Sequence, residues 1–219
     1  MPLFAHGRAR DVLIVGGGDC GIAKEVLKHK AVERVTQVEI DASVVEFSKQ
    51  HFPEFTTPAF ADPRFESIID DGMKYVAETE RRFDVIIVDS TDPHGPGKVL
   101  FSYDFYAACK RCMNNRAIMV TQNGVPIFQP DELVSSLRHF KTIFDHSGCY
   151  IAAIPTYIGG HMAMGWASDK DVPHVPDGII SARYLNEGKF KTKYWTPAVH
   201  QAAFALPRFI EDIVQSANS

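Results

Sequence analysis

Cysteine is scarce in this chain. There are four, Cys20, Cys109, Cys112 and Cys149, scattered too widely for a disulfide framework, and they point to a reduced, cytoplasmic setting. Cys109 and Cys112 form a C-x-x-C, but they fall in a helical pattern with Phe105. A four-ligand zinc site would need two more ligands, and a thioredoxin-like pair would sit at a helix start just after a strand. Metal and redox roles are therefore not expected. Long apolar runs are missing too: none approaches the roughly 20 residues of a membrane span. The opening MPLFAHGRAR is not expected to be a signal peptide. Charge of one sign is also lacking. With 23 basic against 27 acidic residues, the net charge is −4, and no block of like charge suggests a nucleic-acid surface or a tail. Internal repeats and low-complexity segments are absent. What remains is the composition of a globular protein, and 219 residues suffice for a single α/β domain with a substantial core.

The rest of the chain is organised around Asp11 to Glu25, DVLIVGGGDCGIAKE. Val12 to Val15 reads as a short buried strand. Glycines follow at once, and then a helix with Ile22, Ala23, Val26 and Leu27 on one face. Gly16, Gly18 and Gly21 fit G-x-G-x-x-G, a spacing that lets the backbone turn tightly and approach a ligand at a helix N-terminus. A second strand, Val35 to Ile40, carries Glu39 near the distance at which an acid meets a ribose. The same glycines could be a turn that binds nothing, but the strand before, the helix after and the acid argue for a nucleoside. Asp19 refines the ligand. It sits where a dinucleotide would place its pyrophosphate, and it would repel phosphate there. It suits an adenosyl-sulfonium compound, which carries a cation and no phosphate. Asp19 can also serve the helix start as a cap.

Further strands are expected at Phe65 to Ile69, Phe83 to Val88 and Ala117 to Thr121, with two late ones at Cys149 to Pro155 and Met162 to Ala167. Helices are expected at about Ala42 to His51 (Val44, Val45 and Phe47 inward), after Gly72 (Met73, Val76 and Ala77 inward), at Tyr103 to Met113, at Pro130 to Phe144, and near Gly178 to Glu187 and Pro207 to Gln215. Phe52 to Arg64, with three prolines, reads as a loop. Strands alternating with helices predict an α/β fold: a doubly wound, Rossmann-like, mostly parallel sheet with an antiparallel edge. Ligands of such sheets bind beyond the carboxyl ends of the strands. Those ends carry Asp19, Glu39, Asp70, Asp71, Asp89 and Asp92, with no Lys or Arg among them. Gathered acids need a compensating cation. Their spread over four strands suits a long organic cation better than a metal ion. About half of the six are expected to be caps and turn formers.

Several segments resemble the polyamine aminopropyltransferases, most closely the bacterial spermidine synthases. They are GGGD after VLIV, VEID at the second strand, DDG at the third and, most diagnostic, D-S-T-D-P-x-G-P from Asp89. LFSYDFY at 100–106, QNG at 122–124, IPTYIGG at 154–160 and HQAAFALP at 200–207 are similar as well, so the likeness runs through nearly the whole chain. The resemblance implies a methyltransferase-like fold, with decarboxylated S-adenosylmethionine as co-substrate and no metal. Its aminopropyl group would pass to a diamine, usually putrescine, giving spermidine and methylthioadenosine. Asp89 would be the base. Asp92 and Tyr157 would hold the amine or the aminopropyl chain, and Asp19 the aminopropyl ammonium. Gly16 and Gly18 would shape the co-substrate loop, Glu39 would bind the ribose hydroxyls, and Asp71 with Gly72 would meet the adenine. The 90–99 loop would close over the site. Gln122 and Pro197 match patterned positions without an assigned role.

Three departures stand out. Cys20 occupies a position that is usually glycine, where a positive φ would strain a side chain. Lys24 replaces a common Arg. The small N-terminal β-domain of the family is expected to be absent, leaving 1–219 as a single catalytic domain. A homodimer or larger homo-oligomer is the expected assembly. Two other readings follow from the departures: a silent nucleoside- or polyamine-binding relative, and a methyltransferase using intact S-adenosylmethionine. Asp19 argues against the second, because it would face that co-substrate's own carboxylate.

Overall fold

The computed structural model describes residues 1–171, 175–188 and 190–217. A short α1 (Pro2–His6) leads into β1 (Asp11–Gly16), α2 (Gly21–Leu27) and β2 (Arg34–Glu39). Next come α3 (Ala42–His51), α4 (Pro53–Phe60), β3 (Phe65–Ile69), α5 (Gly72–Glu78) and β4 (Phe83–Asp89). A 3-10 helix (Gly95–Phe101) precedes α6 (Tyr103–Arg111), β5 (Met113–Gln122) and α7 (Pro130–Ile143). The chain continues through β6 (His146–Ala153), β7 (His161–Ser168), α8 (Asp177–Asn186), α9 (Pro197–Ala202) and α10 (Arg208–Ser216).

The seven strands form one sheet in the order β3-β2-β1-β4-β5-β7-β6. β1 to β5 are parallel, and β7 runs antiparallel to both β5 and β6. The expected doubly wound sheet with an antiparallel edge is therefore found. The central strands are buried on both faces, which explains their unbroken apolar runs. Alternate residues serve opposite layers. Leu13, Val15, Ile86 and Val88 face a core shared with Phe105, Leu133, Phe140 and Ile210. Val12, Ile14 and Val85 face another, with Ala23, Val26 and Ala59. The register sets Gly16 beside Asp89 and Glu39 beside Ile69, so the first four strands end along one edge. No helix among the described residues is long and apolar enough to cross a membrane.

Three details differ from the sequence reading. Residues 53–60 form a helix rather than a loop. Pro53 sits in the first turn, where its missing N–H costs nothing, and Thr56 and Ala59 are buried, which holds the helix despite Pro58 inside it. In α3 only Val45 of the three expected apolar residues is buried, while Val44 and Phe47 are exposed. Phe47 instead stacks on His51 and Phe52 at the surface. In α5 Ala77 is exposed, and Tyr75 packs on the core in its place. Helices α1 and α9 went unforeseen, being too short to show a period.

Phe140 is fully buried between layers and meets the Tyr106 ring edge-on, with centroids 4.7 Å apart. Phe140→Ala is expected to lower stability by about 3–5 kcal/mol, read from urea unfolding midpoints. A loss below about 1 kcal/mol would show that this core collapses around the cavity.

Candidate active site

The turn after β1 is built by unusual backbone. Gly16 and Gly17 have φ of 84° and 65°. A Cβ on Gly16 would stand 2.2 Å from the Asp89 carbonyl oxygen, so only glycine lets β1 and β4 end side by side here. The Gly17 N–H donates to that same carbonyl at 2.9 Å. Cys20 follows with φ 62°, an arrangement that costs a non-glycine residue roughly 1–2 kcal/mol. Asp19 is exposed, and one of its oxygens accepts from the Gly21 N–H at 2.8 Å. It therefore serves the start of α2 and still presents its other oxygen.

Glu39 is buried, and its Oε1 accepts from the Asp41 N–H at 3.1 Å. Its Oε2 lies toward Gly18, where a Cβ would come within 3.0 Å of it. The two groups thus share one wall, and the missing side chain leaves room for a ligand. Asp71 caps α5, accepting from the N–H groups of Met73 at 2.7 Å and Lys74 at 3.3 Å. Gly72 is packed close to Val15. Asp70 accepts from the Asp71 N–H and pairs with Lys74 at 3.4 Å. Asp70 and Asp71 are thus engaged in local structure, as expected of about half the acids. Lys74 also supplies the cation that the strand ends themselves lack.

Asp89 is the most perturbed acid of the group. Burial pushes its carboxyl up to about 6, and the nearby charges of Asp19 and Glu39 push the same way. These three form one negative cluster under the glycine turn. Asp92 lies apart from it. Its Oδ2 accepts from Gln129 Nε2 at 2.9 Å, and that amide also donates to Glu132 at 3.1 Å. Burial, then the Asp92 charge, raise the Glu132 carboxyl. Asp89 and Asp92 both line a cavity of about 870 Å³, together with Tyr157, Gln122, Tyr150 and Trp195. Gln122 fixes the loop above it, donating to the Ser90 carbonyl at 3.2 Å and accepting from the Gly124 N–H at 3.0 Å. Tyr157 is half-exposed on the β6–β7 loop, which closes through the Ile154 N–H on the Gly160 carbonyl at 2.8 Å. Pro197 only opens α9.

The geometry therefore has two parts. One is the glycine turn with the acids that flank it over β1 to β3: Gly16, Gly18, Asp19, Glu39, Asp71 and Gly72. The other is a largely apolar cavity beyond β4 to β7, with Asp92 and Tyr157. Asp89 belongs to both. Some residues in or behind the cavity wall were missed in the sequence. Gln129 and Glu132 lie on no recognised motif. Trp195, stacked on Phe4 at 4.2 Å, comes from a segment whose contacts are too distant in sequence to read.

A sheet of this order is the methyltransferase-like doubly wound fold, and the glycine turn and acids stand at the edge where such sheets bind ligands. Residues 1–176 match the spermine/spermidine synthase domain, and the chain belongs to that family. It is 50% identical to a polyamine aminopropyltransferase of Escherichia fergusonii, over all of this chain and 76% of that protein. It is 51% identical to one from Ruegeria sp. (strain TM1040), over 97% of this chain and 75% of that protein. Among solved structures, a spermidine synthase in complex with the transition-state analogue AdoDATO superposes with a TM-score of 0.90 at 32% identity, covering 98% of this chain and 72% of its own. The spermidine synthase of Thermotoga maritima gives a TM-score of 0.86 at 30% identity, covering 98% and 70%. The chain is thus an aminopropyltransferase-type enzyme.

Asp89 generates a prediction about stability. A carboxyl raised on folding favours the protonated form, so its contribution is full below about pH 4 and is lost as pH rises through about 6. Its backbone carbonyl, not its side chain, holds Gly17, so Asp89→Asn removes the charge without undoing the turn. The variant is expected to gain up to about 3 kcal/mol over the native chain at pH 8 relative to the difference at pH 4. Urea unfolding at both values checks this, and equal differences would mean Asp89 titrates normally.

Proposed function

We propose that this chain transfers the aminopropyl group of decarboxylated S-adenosylmethionine to putrescine, giving spermidine and methylthioadenosine. The observation that carries the reading is the half-buried Asp89, raised to about 6 by desolvation and by Asp19 and Glu39, where the glycine turn meets the cavity. In the proposed complex Glu39 takes the ribose hydroxyls with the oxygen turned toward Gly18. Asp71 and Gly72 meet the adenine. Asp19 pairs with the aminopropyl ammonium, and Asp92 with Tyr157 holds the diamine. Gly16 and Gly18 let the backbone lie close to the nucleoside.

The reaction is a displacement. The amine lone pair forms a bond to the carbon beside the sulfonium. The carbon–sulfur bond breaks, and its electrons neutralise the sulfur. The proton that the arriving ammonium sheds to free this lone pair goes to Asp89, and the product leaves as the secondary ammonium. The leaving group is already activated, so the protein mainly aligns the reactants and frees the lone pair. An alkylammonium has a pKa near 10.4 in water, so it arrives charged. Asp89 at about 6 is a better proton acceptor than an ordinary aspartate. The apolar cavity wall disfavours the ammonium form by desolvation. The clustered acids answer the two cationic substrates, which in turn relieve the acids' mutual repulsion.

Incubation with decarboxylated S-adenosylmethionine and a panel of diamines, followed by mass spectrometry, is expected to give methylthioadenosine and spermidine, with putrescine preferred. Methylthioadenosine formed without any matched polyamine would sink the reading. Asp89→Asn is expected to cut kcat about 10²–10⁴-fold while methylthioadenosine binds within about threefold of the native chain. Normal turnover in that variant would remove Asp89 from the mechanism. Asp19→Asn is expected to weaken the decarboxylated co-substrate and narrow its advantage over intact S-adenosylmethionine. An unchanged preference would free Asp19 from that role.

A further inference from the structure

The turn that cradles the co-substrate contains a contradiction. Cys20 is fully buried and adopts φ 62°, a left-handed conformation that a residue with a Cβ enters only at a cost. Glycine would do so freely. The thiol must therefore contribute something at this position, and its neighbours suggest what. Cys20 Sγ donates to Gln37 Oε1 at 3.4 Å, while Gln37 Nε2 donates to the Gly17 carbonyl at 3.0 Å. Gln37 lies on β2 and is itself fully buried. The Gly17 carbonyl also accepts from the Cys20 N–H at 2.9 Å. The pattern is a closed circuit: thiol, amide, Gly17 carbonyl and back to Cys20.

An amide can sit either way round. Only the orientation seen here satisfies both ends. The reverse would set Gln37 Oε1 against the Gly17 carbonyl and its NH₂ against the sulfur. The thiol is the partner that selects the orientation, because an S–H can donate where a methyl cannot. Burial pushes this thiol up to about 11, the Asp19 charge acting the same way, so it remains a donor through the physiological range.

We infer that Cys20 and Gln37 act together as positioning residues for the co-substrate. The thiol orients the Gln37 amide, and the amide holds the Gly17 carbonyl so that Gly17, Gly18 and Asp19 present a pre-formed nucleoside cradle. The coupling reaches Asp89 too, since the Gly17 N–H is bound to the Asp89 carbonyl at 2.9 Å. Gly17 is thus tethered on one side to β2 and on the other to β4. The assignment rests on the aminopropyltransferase reading and adds to it a residue pair that touches no substrate.

A double-mutant cycle tests it, using Cys20→Ala, Gln37→Met and the two combined in the full chain. Methylthioadenosine binding by calorimetry and steady-state kinetics are the readouts. Each single change is expected to weaken methylthioadenosine about three- to tenfold. The KM for decarboxylated S-adenosylmethionine should rise in step, the diamine KM should stay put, and kcat should change less than twofold. The combined variant is expected to bind no worse than the weaker single one, because one circuit is broken only once. Cys20→Ser, which restores a donor, should bind within about twofold of the native chain. Losses that multiply in the double variant, a Cys20→Ala that binds like the native chain, or a serine variant as weak as alanine would each overturn the pairing while leaving the reaction intact. A native chain that binds no methylthioadenosine would overturn both.

Discussion

The site depends on one close approach, that of β1 to β4 at their carboxyl ends. The register sets Gly16 beside Asp89, and the Asp89 carbonyl occupies the space where a Gly16 side chain would be. The carbonyl also anchors Gly17. The same residue therefore shapes the nucleoside turn with its backbone and supplies an acid to the cavity with its side chain. Fixing one fixes the other. No flexible loop intervenes between the co-substrate cradle and the proposed base. That economy follows from parallel strands ending in step, which places consecutive ligand-side residues within a few ångströms of one another.

Electrostatics then decides what such an arrangement is for. Burial makes the largest contribution to the raised proton affinity of Asp89, and the charges of Asp19 and Glu39 add to it. Unliganded, this is a cost to the fold. In the proposed reaction a sulfonium with an ammonium three carbons away would remove that cost on binding, so part of its affinity would come from relief of repulsion rather than from new contacts. The acids that do not belong to this cluster are engaged otherwise. Asp70 has Lys74, and Asp71 caps α5. Proximity in sequence to the ligand edge is not enough: of the six acids, Asp19, Glu39 and Asp89 share one space, while Asp92 is held by Gln129 beside the cavity.

Much of this was legible in the sequence. The apolar runs fixed the central strands because a sheet covered on both faces admits no alternation. The glycine spacing predicted the tight turn after β1, and Glu39 could be named at the end of β2, where the structure sets it against Gly18. Asp19, Asp89 and Asp92 stood at strand ends and could be named. Four things were not legible. The helix at 53–60 hid behind its prolines, because propensity is a local quantity and burial of Thr56 and Ala59 is not. Phe47 was placed inside by its period, yet it finds surface partners. The Gln129–Glu132 support behind Asp92 arises from a loop folding back on the site. Gln37 looked like an ordinary strand residue until the structure set it against Cys20.

The two halves of the site also differ in how they are made. The co-substrate half joins residues within one βαβ unit and the strand beside it, by backbone hydrogen bonds and missing side chains. The other half draws on α1, the loop 90–94, the β6–β7 loop and the segment around Trp195, joined by scattered contacts such as the Ala153 N–H donating to Tyr194 Oη. Contacts of that kind tolerate substitution better than a Cβ set 2.2 Å from a carbonyl. Variation in a reaction of this type should therefore fall on the acceptor and leave the donor unchanged. A sheet edge that holds one nucleoside firmly, beside a cavity lined by replaceable side chains, is suited to a common donor serving different amines.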